Sequence, residues 1–330
     1  NKPFTVKALD SLKALNIDGI TETDFLILTD CIKNNIDDAY VIGEKEHTNN
    51  IIDILFDLNF NDRTIQSDDP NNINDTKYGS HIVSNNVVFL NHGTKMAGII
   101  SNINLENKIE IMSLPISCYG DEHDKDIALA IRYAVDNGAK VINMSFSKEY
   151  SLYKKWVFDA FKYAEKHDVL IVGIAGNFGY NLTLNNFIYP NDNIENDKEV
   201  SNNFLMIGAS NSMLTSELKS ESSSYGNIDV DLFAPGNNIQ TLLPKNKYTT
   251  SGGTSSAAAI TSGVAALIRS YYPKLTVSQV KHILMDSGVE YTFNVKVDDT
   301  LLPFNTLSKS GKVVNAYNAL IMADSISRKR

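Results

Sequence analysis

The chain has 330 residues, 30 of them basic and 39 acidic, for a net charge of −9. That balance argues against nucleic acid or an anionic membrane as the main partner. Two cysteines exclude a disulfide-stapled scaffold and a four-cysteine zinc site, while the length suits one large α/β domain or two smaller ones.

In chain order, Ala8–Leu15 has helical apolar spacing, and the run Phe25-Leu26-Ile27-Leu28 reads as a short buried strand. Residues 49–91 are dense in Asn and Asp and read as a polar excursion. Thr94–Ile103 reads as a small-residue helix and Ile109–Ile116 as a strand. Asp126–Asp136 carries Ala128, Leu129, Ile131 and Ala134 on one helical face and is ended by Asn137-Gly138. Val141–Met144 is a strand, Trp156–His167 a helix and Val169–Ile174 a strand. A second polar excursion covers 180–203. Phe204–Ile207 and Val230–Phe233 are strands; Ser256–Tyr271 and Val277–Ser287 are helices. Short apolar strands alternating with helices predict a mostly parallel sheet covered on both faces. Chemistry in such sheets gathers at the carboxyl ends of the strands. Asparagine, roughly a tenth of the chain and about twice the usual share, concentrates in the excursions.

Three short motifs carry chemistry. His92-Gly93-Thr94 opens a helix, where the helix dipole favours a neutral imidazole able to act as a base. Gly253-Thr254-Ser255 precedes a helix with no charge until Arg269. A serine there has backbone N–H groups beside it for a developing oxyanion. Ala175-Gly176-Asn177 follows an apolar strand and offers a side-chain amide donor. Each motif alone has an ordinary reading, as a helix start, a capped Gly-rich turn and a strand-end turn.

Together, in this order, they resemble the subtilisin-like serine proteases, the subtilase family. Val141–Ser145, Ser224-Tyr225-Gly226 and Phe233-Ala234-Pro235-Gly236 extend the resemblance, which covers about residues 8 to 287. The polar loops and the segments Tyr271-Tyr272-Pro273 and Asn315–Ala319 look like subtilases of Bacteroidota. The resemblance implies a three-layer, doubly wound α/β fold, expected here as one domain over 1–330 with insertions near 49–91 and 180–203. It implies a serine endopeptidase in which Ser255 is the nucleophile, His92 the base and Asn177 the oxyanion donor. Ser145, Phe146, Ser147, Ala175 and Gly176 would line the substrate site. The family's acid ends the first core strand; between Val41-Ile42-Gly43-Glu44, which lacks an Asp, and Phe25–Cys31, the choice falls on Asp30.

Several positions depart from the family pattern. Cys31-Ile32 follow Asp30 in place of a small residue and Gly. Lys95 and Met96 follow the His motif. Ser147 stands where Gly is usual, and Ala259 where Pro is usual. These changes keep open a second reading, a subtilase-fold pseudoprotease acting as a binding or scaffolding subunit. The expected partner is a polypeptide substrate or a protein, with no nucleic acid and no transmembrane segment. No cofactor is required. Calcium is common in the family, but no run here has the spacing of a calcium loop, so no metal is predicted. Cys31 and Cys118 follow strands that are neighbours in the family fold, and no bridge is predicted between them. A chain starting at Asn1 without Met is expected to be processed or truncated, and the resemblance implies an extracytoplasmic location.

Overall fold

The computed structural model describes residues 10, 21–33, 45, 48–49, 68–79, 91–103, 109–116, 122–183, 187–194 and 198–329. The chain divides into two compact units, residues 1–62 and 63–330.

In the first unit, α1 spans Glu22–Lys33. This corrects the strand expected over Phe25–Leu28. Thr21 and Asp24 exchange capping bonds: Thr21 N donates to Asp24 Oδ2 at 2.7 Å and Asp24 N to Thr21 Oγ1 at 3.2 Å. Glu22 and Asp24 also suit the positive end of a helix. Only Phe25 of the apolar run is buried; Leu26, Ile27 and Leu28 are exposed. The helix expected over Ala8–Leu15, apart from Asp10, lies outside the described residues.

The second unit holds α2 (His92–Asn102), α3 (Asp124–Asp136), β1 (Val141–Asn143), α4 (Lys154–Lys166), β2 (Leu170–Ile174), β3 (Phe204–Ser210) and β4 (Leu232–Pro235). A hairpin of β5 (Ile239–Leu243) and β6 (Lys247–Ser251) leads into α5 (Gly253–Tyr271). Then come α6 (Val277–Asp286), β7 (Val289–Glu290), β8 (Asn294–Val297), β9 (Thr300–Pro303), β10 (Lys312–Val313) and α7 (Ala316–Arg328). The main sheet runs β1-β2-β3-β4-β10-β7 and is parallel except for β7.

Alternation along the central strands builds the layers. Leu170, Val172 and Ile174 of β2 pack with Leu205 and Ile207 against Ala257, Val264 and Ile268 of α5 and Val280 and Ile283 of α6. Ile171, Phe204 and Met206 face the other way, onto Ile127 and Ile131 of α3 and Phe161 and Ala164 of α4. Both faces of β2 and β3 are therefore apolar, as a buried parallel sheet requires. The expected mostly parallel, three-layer α/β architecture is what the structure shows. One sequence reading fails here: residues 109–116 form no strand, and Ile111 and Met112 are not buried. Pro115 removes one ladder donor from that run.

The 180–203 excursion carries polar groups into the protein. Asp192 is 3% exposed, and its Oδ2 accepts no hydrogen bond among the described residues. Burial first, then the nearby Asp231 carboxylate, pushes its carboxyl pKa up to about 8; Lys281 opposes this, while Lys309 and Glu199 act more weakly. Between the ordinary value of 3.8 and about 8, the folded chain therefore holds a proton that the unfolded chain has lost. Stability is expected to fall as pH rises through that window. Asp192→Asn should flatten the fall in a series of melting temperatures from pH 4 to 9; parallel slopes for the two proteins would refute this.

Candidate active site

α2 begins at His92 itself, so the imidazole stands at the positive end of the helix. Its outer edge is open to solvent, but the protein packed around it withdraws water from the ring. That burial, and secondly the Lys95 ammonium, hold its pKa below the ordinary histidine value. The ring is thereby kept neutral, the form a base needs. Among the described residues, none hydrogen-bonds the His92 ring.

α2 docks on α5 through Met96, Ile99 and Ala259. Met96 and Ala259 are two of the departures from the family pattern, and they meet in one cluster, a long side chain against a short one. Close approach is also needed at Gly263, where a Cβ would lie 2.6 Å from Ile103 Cδ1. The β5–β6 hairpin grips α2 from another side. Thr241 Oγ1 donates to the Lys95 carbonyl, and a Cβ on Gly98 would lie 2.8 Å from Leu242 N.

Ser255 occupies the first turn of α5 and is 8% exposed. Its Oγ donates to the Ser145 carbonyl at 3.1 Å, and Ser145 Oγ donates in return to the Ser255 carbonyl at 2.9 Å. Gly253, at φ +81°, makes the tight entry into α5, and Gly253 N donates to Gly236 O at 2.7 Å. That φ is strained for any side chain, and a Cβ there would press on Asn177 Oδ1 at 2.8 Å.

Asn177 follows β2 through Ala175, whose N–H donates to Ile207 O, and Gly176 at φ +86°. Its Oδ1 accepts from Thr254 N at 2.9 Å and from Thr254 Oγ1 at 3.1 Å. With the oxygen so held, the amide orientation is fixed and Nδ2 is left as the available donor. Asn177 is exposed, so a ligand can reach that donor. Sequence reading found this amide but not the threonine that aims it, although Thr254 lies inside the motif it quoted.

The structure joins most of the sequence-predicted site. Ser145 and Ser255 are bonded to each other, and Asn177 is bonded to the residue before Ser255. His92, Ser145 and Phe146 line one cavity of about 770 Å³, with Met96, Ile131 and Ser262 among its other walls. Ser147 is half-buried beside them. Asp30 is different. It stands exposed in the last turns of α1, within the first unit, and does not end a strand. The ground for choosing it is withdrawn. Cys31 is a free thiol, and Cys118 lies outside the described residues. Among the described residues no group of three or more His, Cys, Asp or Glu could hold a metal ion, and no helix is long and apolar enough to cross a membrane.

A histidine opening one helix, a serine in the first turn of another and an amide bonded to that same turn form a recognisable set. The sequence model of the subtilase family matches residues 18–311. The chain belongs to the subtilase family. It is 31% identical over 212 residues to the cell wall-associated protease of Bacillus subtilis (strain 168), covering 61% of this chain and 22% of that protein. It is 30% identical over 212 residues to subtilisin DY of Bacillus licheniformis, covering 64% of this chain and 70% of the relative. Among solved structures, a lanthipeptide protease matches with a TM-score of 0.56 at 28% identity, covering 70% of this chain and 75% of that one. The chain thus spans about a fifth of the cell wall-associated protease and most of subtilisin DY.

Proposed function

We propose that this subtilase is a serine endopeptidase acting on polypeptides outside the cytoplasm, with no cofactor in the reaction. Ser255 Oγ attacks the peptide carbonyl while His92 takes its proton, giving a tetrahedral oxyanion. Asn177 Nδ2 and the Ser255 N–H stabilise that oxyanion. Collapse of the intermediate expels the amine, which receives the proton from His92, and leaves an acyl group on Ser255. Water then releases it by the same steps. The observation that carries this reading is the Thr254 clamp on Asn177, which leaves one amide donor pointing away from its own partners. The location follows the relative that is associated with the cell wall. The choice of Asp30 as the acid rests on a strand end, and with α1 in that place this scheme assigns it no role.

A second reading has its own observation. Ser255 Oγ gives its hydrogen to the Ser145 carbonyl rather than to His92, and among the described residues no carboxylate orients the His92 ring. On this reading the chain is a catalytically impaired subtilase acting as a binding or scaffolding subunit. A fluorophosphonate probe separates the two. The endopeptidase takes the label on Ser255, and Ser255→Ala abolishes it. A folded chain that takes no label is the pseudoprotease.

A further inference from the structure

Ser255 is the end of a buried chain of side-chain hydrogen bonds that begins a full two turns along its own helix. Ser262 Oγ donates to Asn143 Oδ1 at 2.9 Å. Asn143 Nδ2 donates to Ser145 Oγ at 2.9 Å. Ser145 Oγ donates to the Ser255 carbonyl at 2.9 Å, and the Ser145 carbonyl accepts from Ser255 Oγ at 3.1 Å. Ser262, Ser145 and Ser255 are buried, and Asn143 is half-buried at the end of β1.

The direction of every bond is fixed by the chemistry of the groups. Asn143 Oδ1 can only accept and Nδ2 can only donate, so the amide is polarised one way, from Ser262 towards Ser145. Ser145 Oγ, having accepted from Asn143, is left with its hydrogen for the Ser255 carbonyl. That carbonyl lies in the first turn of α5, and its bond ties the turn bearing the nucleophile to the segment following β1. The same helix therefore supplies both ends of the loop: Ser262 starts the chain and Ser255 closes it. Such a closed circuit resists sliding of α5 along β1, because any shift must break bonds at both ends at once.

We propose that Asn143 and Ser262 are positioning residues for Ser255, acting through Ser145 to fix the register of the α5 first turn against the end of β1. The inference rests on the endopeptidase reading only for its kinetic consequence. Neither residue touches the reacting atoms, so their loss should lower the rate of acylation and leave substrate affinity nearly unchanged.

The test is a double-mutant cycle read by the second-order rate of fluorophosphonate labelling. Ser262→Ala is expected to slow labelling about fivefold, the scale of one buried hydrogen bond. In a Ser145→Ala background, where the link is already cut, Ser262→Ala should add nothing. A Ser262→Ala chain that labels at the parent rate, or one whose loss persists in full without Ser145, overturns the proposal. Should the parent chain take no label, the endopeptidase reading fails but this one is still decided. Amide exchange in Gly253–Ser256 must then be faster in Ser262→Ala and in Asn143→Ala than in the parent, and unchanged exchange overturns it.

Discussion

Asn177→Ala is expected to slow acylation of Ser255 by roughly 10²–10³-fold, the magnitude found for the corresponding amide in a subtilisin and taken over from it. The structural reason lies in the clamp on its oxygen. Thr254 holds Oδ1 through two bonds, so the amide meets the substrate already oriented. A donor that is aimed in advance pays no reorganisation as charge develops on the oxyanion. Removing it acts on the transition state, so kcat falls while KM moves little. Asn177→Asp is a harsher change, because it sets a negative oxygen where the oxyanion must form. A melting temperature within a few degrees of the parent distinguishes this loss from unfolding, since Asn177 is exposed and fills no core space. Equal labelling rates for parent and Asn177→Ala would refute the role.

The largest expected effect on stability comes from Lys125→Met. Lys125 sits in the first turn of α3 with no solvent exposure of its side chain. Its Nζ donates to Asp68 Oδ2 at 2.6 Å and to the Asp69 carbonyl at 2.7 Å, with Asp75 Oδ2 at 3.7 Å and the Tyr78 ring 4.3 Å away. The Asp68 side chain is also fully buried. Methionine keeps the shape of the stem but takes the ammonium away from the buried Asp68 carboxylate. Breaking one side of such a pair costs about 3–5 kcal/mol. For a unit of this size the melting temperature should drop by roughly 10 °C. Lys125→Met with Asp68→Asn should recover much of that loss, because both members of the buried pair are then neutral. A drop below a degree or two in Lys125→Met would mean that the pair is not buried in solution.

The parts of the site that could be read from sequence are those where chemistry is written in consecutive residues at an element boundary. His92 at the start of α2, Ser255 in the first turn of α5 and Asn177 after β2 are of this kind. Each carries a backbone requirement, such as Gly253 and Gly176 at positive φ, that leaves a mark in the sequence. The strands β2 and β3 were equally plain, because burial on both faces demands an unbroken apolar run. What failed was a short apolar run with two possible periods. Phe25–Leu28 fits a buried strand or one face of a helix, and the Thr21–Asp24 capping pair just before it was the deciding signal. The β5–β6 hairpin escaped for the opposite reason. Lys247–Ser251 is mostly polar, with no residue fully buried, so no apolar pattern announces it. Its cue is the turn, where Lys245 and Asn246 both take positive φ. The bond network around Ser255 was beyond reach, because Asn143 and Ser145 lie far along the chain from Ser255 and Ser262, and only the packed fold brings the two stretches together.

The docking of α2 on α5 bears on the order in which the molecule assembles. His92 and Ser255 are far apart in the chain, and the contacts among Met96, Ile99 and Ala259 close that long loop. Contacts of such separation form late, because the entropy of closure must be met before they return anything. A nascent or half-folded chain thus carries both residues without the interface through which their helices meet. The hairpin that holds α2 at Thr241 is joined directly to the turn before Ser255, so closing that loop brings both elements in together. On the endopeptidase reading, competence waits on that long-range closure.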